Sequence, residues 1–247
     1  DGVAQAPPRA GPLAYVTHFG SNYVSVIDTG TKQVVRTISV GQAPEGVAIA
    51  STADRVYVGN VGSDSVTIID AQVEQAIATI HVGNDPRGLA LSPDGSRLFV
   101  AASGSNRVDV VDTIRKQYVG YVTAGQAPWG LVLAQHGAKL YVANHDSDDV
   151  TVLDALTLET RVTVPVRDQP FGVVASPDGQ TVYVANFGSN AVSVIDTMSD
   201  TVVATVFVDS GPFALALSPD GATLYVSTNQ NTVSVVDTAT RTKTGSI

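Results

Sequence analysis

The amino-acid sequence predicts an all-β protein, a six-bladed β-propeller in which about 42 residues build each blade from four antiparallel strands. Three sets of residues carry this prediction, because the members of each set recur every 42 residues. The sets are Pro44, Pro86, Pro128, Pro170 and Pro212; Tyr15, Tyr57, Phe99, Tyr141, Tyr183 and Tyr225; and Asp28, Asp70, Asp112, Asp154 and Asp196, followed one residue early by Asp237. Dividing 247 residues by this period gives about 5.9 units, hence six blades.

Each unit contains four short apolar segments separated by turn residues. In the fifth unit these segments are residues 172–175, 182–186, 192–195 and 202–208, which are rich in β-branched residues. They have the length of strands and are too short for typical globular helices. Four such strands in one unit, with no helical pattern between them, describe a propeller blade.

The start of the chain is less regular than the rest. Residues 13–247 are predicted to form a single propeller domain, and residues 1–12, with three prolines, an N-terminal arm. Within the arm, residues 2–6 (Gly-Val-Ala-Gln-Ala) resemble residues 46–50 (Gly-Val-Ala-Ile-Ala), which begin the second unit. We therefore expect residues 2–6 to be the first strand of blade 1, since a closed ring removes exposed sheet edges.

Two recurring turn patterns predict scaffolding. The sequence Ser-Pro-Asp-Gly occurs at residues 92–95, 176–179 and 218–221. Proline fixes φ in such a turn, aspartate accepts hydrogen bonds from nearby backbone, and glycine accepts a positive φ. The aspartates of the 42-residue set also precede turns, one per blade, so we expect them to hold the backbone.

Composition excludes several functional classes. The chain carries 14 Lys and Arg against 23 Asp and Glu, a net charge of −9, so the basic footprint of a nucleic-acid-binding protein is missing. No apolar run reaches the 18 residues that a membrane span needs. The absence of cysteine excludes thiolate nucleophiles and zinc-thiolate or iron-sulfur sites. The Gly-x-Ser-x-Gly, His-Glu-x-x-His and Gly-x-Gly-x-x-Gly motifs are also absent.

One tetrapeptide of the unit identifies a family resemblance. Residues 141–144 and 183–186 both read Tyr-Val-Ala-Asn, with looser versions at residues 15–18 and 57–60. Together with the Gly-x-x-Pro-x-Gly and Ser-Pro-Asp-Gly patterns, these segments resemble the YVTN repeat family over about residues 13–247. The resemblance implies a β-propeller, commonly secreted, periplasmic or on the cell surface, in a family whose members often have seven blades. It does not imply one reaction, because the motif belongs to the scaffold.

The candidate binding site lies at one end of the central channel. Strands of a blade alternate in direction, so the loop leading from one blade into the next, the mouth loop, lies at the channel mouth. One residue in each mouth loop varies while its neighbours repeat; these residues are Glu45, Arg87, Trp129, Phe171 and Phe213. We expect them to converge and bind a small molecule, glycan, peptide or another protein. The alternative is that the aromatic residues plug the channel and Glu45 pairs with Arg87.

A second loop on this face, the rim loop between strands two and three, usually reads Gly-Ser-Asn. Blade 4 departs from this pattern, with three carboxylates at Asp146, Asp148 and Asp149. Carboxylates are hard oxygen ligands, which makes these residues a weak calcium candidate. A solvent-exposed turn is the alternative, because aspartate is common where φ is positive.

The four histidines do not predict a cofactor site. His81 is assigned to an outer strand and His136 to a turn on the opposite face. His18 and His145 both lie on the mouth face but in opposite blades, so they cannot share a metal ion. No haem, copper or other cofactor is therefore expected.

Three functions remain compatible with the sequence. The first is a secreted, periplasmic or surface scaffold that binds through the mouth. The second is a lactonase- or lyase-type enzyme using the same mouth, with Glu45 as general base and His145 as a distant helper. The third is a structural envelope protein whose mouth has no role.

Overall fold

The computed structural model describes residues 11–50, 52 and 54–247, and it confirms the predicted six-bladed β-propeller. Each blade is an antiparallel sheet; blades 2 to 6 have four strands, and blade 1 has three among the described residues. Blade 1 contains β1 (Leu13–His18), β2 (Tyr23–Asp28) and β3 (Gln33–Ser39). Blade 2 contains β4 (Pro44–Ile49), β5 (Arg55–Asn60), β6 (Ser65–Asp70) and β7 (Gln75–His81).

Blades 3 to 6 continue in the same order. Blade 3 contains β8 (Pro86–Leu91), β9 (Arg97–Ala102), β10 (Arg107–Asp112) and β11 (Gln117–Thr123). Blade 4 contains β12 (Pro128–Ala134), β13 (Lys139–Asn144), β14 (Asp149–Asp154) and β15 (Thr160–Pro165). Blade 5 contains β16 (Pro170–Ala175), β17 (Thr181–Asn186), β18 (Ala191–Asp196) and β19 (Thr201–Phe207). Blade 6 contains β20 (Pro212–Leu217), β21 (Thr223–Thr228), β22 (Val233–Asp237) and β23 (Thr242–Ser246).

The predicted segments of the fifth unit fall on β16 to β19, within two residues at each boundary. The predicted first strand of blade 1, residues 2–6, lies outside the described residues and stays a prediction. Helical structure in the described part of the chain consists of short turns of three residues, and no helix there is long enough to cross a membrane.

The hydrophobic core is divided among the junctions between neighbouring sheets. The repeated aromatic residue of each second strand faces the next blade, as Tyr57 of blade 2 does in packing with Leu98 and Val100 of blade 3. Tyr57, Phe99, Tyr141 and Tyr183 are all buried. Burial of a side chain of this size contributes roughly 1.5–3 kcal/mol, so each junction stabilises the two blades it joins.

The last and first blades depart from this pattern. Tyr225 of blade 6 is 38% exposed, and Val16 of blade 1 is 41% exposed although its counterparts in the other blades are fully buried. First-strand packing runs from blade 2 through blade 6, and no comparable strand contact joins blade 6 to blade 1 within the described ranges. These two faces are therefore less covered than the five junctions between consecutive blades.

The face opposite the mouth is held by aspartate turns, as predicted. The carboxylate of Asp154 accepts hydrogen bonds from the backbone N–H groups of Thr157 and Leu156, at 2.9 and 3.0 Å, and pairs with Arg161 at 2.9 Å. The N–H of Thr157, then Arg161, lowers the pKa of Asp154 to about 2, because both stabilise the charged form. Equivalent turns follow Asp28, Asp70, Asp112, Asp196 and Asp237.

Candidate functional site

In blades 2 to 5, a serine ties the mouth loop to the rim loop of the same blade. The Oγ of Ser63 accepts a hydrogen bond from the N–H of Gln42 at 3.0 Å. The same bond recurs 42 residues apart in blades 3, 4 and 5, where the acceptors are Ser105, Ser147 and Ser189. The repeated serine of the rim loop therefore positions the mouth loop.

A second bond ties each mouth loop to the preceding blade. Asn106, in the left-handed region at φ 53°, accepts a hydrogen bond from the N–H of Ala127 at 2.9 Å. Asn22, Asp64, Asp148 and Asn190 make the equivalent contact in the other blades, at 2.8–3.0 Å. The variable residue follows two positions later, as the second residue of the first strand, so the loop that leads to it is held by two adjacent blades. The repeat explains why asparagine or aspartate is needed there.

The first strands approach one another closely just after the variable residue. A Cβ atom added at Gly130 would overlap the carbonyl oxygen of Phe171 in the next blade, and Gly46, Gly88 and Gly172 face the equivalent carbonyl. Glycine at this position therefore lets neighbouring blades bring their variable residues together. Ala214 stands at the corresponding position of blade 6.

The structure brings the five variable residues into contact, as the sequence predicted. At the polar end, Arg87 Nη1 forms a short ion pair with Glu45 Oε2, and both side chains are only partly exposed. The Arg87 guanidinium also lies over the Trp129 ring, 4.1 Å from its centroid, in a cation–π contact. Arg87 thus joins the charged and aromatic parts of the mouth.

The aromatic end is continuous with this pair. The ring centroids of Trp129 and Phe171 are 4.6 Å apart, and those of Phe171 and Phe213 are 4.8 Å apart. Phe171 is buried, Trp129 is partly buried, and Phe213 is 42% exposed. Phe187, from the rim loop of blade 5, lies 5.4 Å from Phe171. We call Trp129, Phe171, Phe187 and Phe213, with His145, the mouth cluster.

His145 also belongs to this cluster, where its contacts are with aromatic rings and with Asp146. Its ring centroid lies 4.5 Å from that of Phe171 and 6.0 Å from that of Trp129. Its Nδ1 forms a short contact with Asp146 Oδ1. His145 stands one position before the Gly-Ser-Asn register of the rim loop, where Phe187 stands in blade 5, and the variation at this position from blade to blade was the sequence signal for both residues.

The three carboxylates proposed as a weak calcium candidate have separate partners. Asp146 contacts His145, Asp148 accepts the N–H of Gln169 at 2.8 Å, and Asp149 accepts from Asn144 Nδ2 at 2.6 Å. Across residues 11–50, 52 and 54–247, no group of three or more histidine, aspartate or glutamate side chains is placed to hold a metal ion. The rim loop of blade 4 is therefore organised as a turn.

The remaining histidines lie away from the mouth cluster. His18 Nε2 contacts Ser25 Oγ at 2.9 Å, and the His18 ring packs against Tyr23. His81 ends β7, and His136 lies in the turn between β12 and β13. The alternative in which the aromatic residues plug the channel also remains open, because the Glu45–Arg87 pair exists and the aromatic rings contact one another.

A feature that the sequence did not predict lies on the opposite face. A cavity of about 360 Å³ between blades 3 and 4 is lined by Ile114, Arg115 and Leu156, among others. Ile114 and Leu156 are 78% and 76% exposed. Of the two arginines in the lining, Arg115 pairs with Asp112 at 2.7 Å, and Arg97 donates to the backbone oxygen of Leu156 at 2.9 Å.

Comparison with known proteins identifies the family. The family model described as "YNCE-like beta-propeller" matches residues 4–158, more than half of the chain. The chain belongs to the YNCE-like beta-propeller family. No curated protein matches this YNCE-like propeller.

Two solved structures share its fold. A functionally unknown protein from Desulfotomaculum acetoxidans DSM 771 is 18% identical, with a TM-score of 0.84 over 95% of the YNCE-like chain and 79% of the other. Kuenenia stuttgartiensis hydrazine synthase is 22% identical, with a TM-score of 0.65 over 92% of each chain. At these identities the likeness concerns the propeller fold alone.

Proposed function

We propose that this protein is a recognition scaffold that binds a ligand or partner through the mouth cluster and the adjoining Glu45–Arg87 pair. The observation that carries the proposal is the gathering of all five variable residues into one connected surface. The surrounding loops largely repeat from blade to blade, whereas these five positions carry an acid, a base, a tryptophan and two phenylalanines. Tryptophan, arginine and large apolar side chains supply much of the energy in binding surfaces.

The shape of the mouth favours binding on its surface. Trp129, Phe171 and Phe213 contact one another, so they present one continuous aromatic surface. A partner would cover the exposed part of Phe213 and the partly exposed ring of Trp129. Hydrogen bonds already fix the mouth loops, so these loops lose little conformational entropy when a partner binds. From the resemblance to the YVTN repeat family, we propose a secreted, periplasmic or cell-surface location.

Labelled protein incubated with a glycan array and a peptide array tests this function. The matched proteins are the wild type, a mouth variant carrying Trp129→Ala and Phe213→Ala, and a control carrying Leu156→Ser on the opposite face. The proposal expects the wild type and the control to retain the same probes and the mouth variant to lose them. It fails if no probe is retained, or if the mouth variant retains every probe.

A further inference from the structure

In blades 2 to 5, the two residues before the repeated proline of each mouth loop use their main-chain groups within the protein. In blade 2, Gln42 and Ala43 donate their N–H groups to Ser63 and Asn22 and accept hydrogen bonds from Gly62 and Val61. The mouth loops of blades 3, 4 and 5 repeat all four bonds. An extended peptide is commonly bound through free backbone groups, and these two residues of each loop do not offer them.

The charged side chains that contact the mouth cluster are paired. Glu45 and Arg87 form an ion pair, and Arg87 also lies against Trp129. His145 is engaged by the carboxylate of Asp146. A ligand that needed a full charge opposite it would have to break one of these pairs, so the arrangement favours an uncharged ligand.

The surface that a ligand can contact is aromatic and is bordered by polar side chains. Phe213 is the most exposed ring of the cluster, and Trp129 is partly exposed beside it. Glu45 and Arg87 border the rings on one side, and His145 adjoins Trp129 and Phe171. Such an edge can donate and accept hydrogen bonds while the rings supply apolar contact.

We propose that the ligand of the mouth is a neutral glycan. A sugar ring has apolar C–H faces that pack on aromatic rings and hydroxyl groups around its rim that exchange hydrogen bonds with polar side chains. One sugar would lie against Phe213 and Trp129, with its hydroxyl groups directed to the polar edge. This assignment rests on the proposed function and names the class of ligand that the function would use.

Titration with three uncharged probes, cellohexaose, chitohexaose and maltohexaose, tests the assignment through the fluorescence of Trp129, the one tryptophan of the chain. At least one probe should bind with an affinity that changes less than about twofold between low and high salt, because no net charge is neutralised. Phe213→Ala should weaken that affinity roughly three- to tenfold, the value of one aromatic contact. Leu156→Ser should leave it unchanged.

The outcomes separate this assignment from the proposed function. Failure of all three probes at millimolar concentration overturns the glycan assignment, as does binding that falls steeply with salt or is untouched by Phe213→Ala. An uncharged peptide, acetyl-Phe-Gly-Phe-amide, is titrated in parallel. If only this peptide binds, and Phe213→Ala weakens it, the glycan assignment is wrong while the mouth remains the binding surface. Calorimetry of Phe213→Ala confirms that the variant is folded.

Discussion

On the mouth face, apolar side chains from three neighbouring blades contact one another, whereas on the opposite face the most exposed apolar residues lie on turns. Ile114, Leu156 and Met198 occupy equivalent turns of blades 3, 4 and 5 and are 76–79% exposed. Phe213 is only 42% exposed, yet it belongs to a connected cluster. The exposure of single residues therefore does not locate the candidate site. The contacts between side chains of neighbouring blades locate it.

The frame itself differs between the two faces. Mouth loops are held by bonds that cross from one blade to the next, such as Asn106 to Ala127. Each aspartate turn of the opposite face closes on itself, as Asp154 does with Thr157, while Lys139 and Arg97 add bonds between blades there. The two faces therefore differ in the bond that recurs: a bond between blades on the mouth face, and a bond within one turn on the opposite face.

The largest loss of stability is expected when a side chain is added where the first strands of neighbouring blades lie close together. Gly130→Ala would place a methyl group against the carbonyl oxygen of Phe171, and we expect it to destabilise the protein by about 1–3 kcal/mol. Gly20→Ala is the matched control, because a Cβ at Gly20 has no neighbour within 4 Å and should change stability by less than about 0.5 kcal/mol. Urea unfolding measures both. If both variants lost the same amount of stability, the close approach of the strands would not be the reason for glycine at position 130.

A smaller effect is expected from removing one bond between blades. Asn106→Ala deletes the acceptor for the N–H of Ala127, which should lower the free energy of unfolding by about 1 kcal/mol. Asn106→Asp should restore most of that stability, because Asp64 and Asp148 serve as acceptors at the same position in other blades. The bond would have no structural role if all three proteins unfolded at the same urea concentration.

On the opposite face, the aspartate turns predict an acid dependence. The pKa of Asp154 is lowered to about 2 in the folded protein, so its stabilising contribution is full above its unfolded pKa of about 4. That contribution is lost as the pH falls toward 2, because protonation then favours the unfolded chain. Asp154→Asn should therefore lose less in melting temperature between pH 5 and pH 2 than the wild type. An identical pH dependence in both proteins would contradict this account.

The smallest effect is expected at the exposed turns. Leu156→Ser should change the free energy of unfolding by less than about 0.5 kcal/mol, because the side chain is 76% exposed. The hydrogen bond from Arg97 to the backbone oxygen of residue 156 does not depend on the side chain. Thermal unfolding checks this, and a loss above 1 kcal/mol would mean that the turn has an unrecognised packing role.

The period of 42 residues was enough to predict most of the fold. It predicted the strands, the aspartate turns and the convergence of the five variable residues, because a fixed register places equivalent residues at equivalent positions around an axis. It did not predict that Ser63 and Asn22 hold the mouth loop, since hydrogen bonds between loops depend on distances in space. The contact of His145 with Trp129 was missed for the same reason.

Quenching of Trp129 fluorescence by acrylamide tests most directly the claim that the variable residues form one surface. Arg87 covers one face of the indole, 4.1 Å from its centroid. The account predicts that Arg87→Ala increases quenching clearly and Phe213→Ala moderately, while Leu156→Ser leaves it unchanged. Quenching that is the same in the wild type and Arg87→Ala would contradict the account, because Arg87 would then not lie on Trp129.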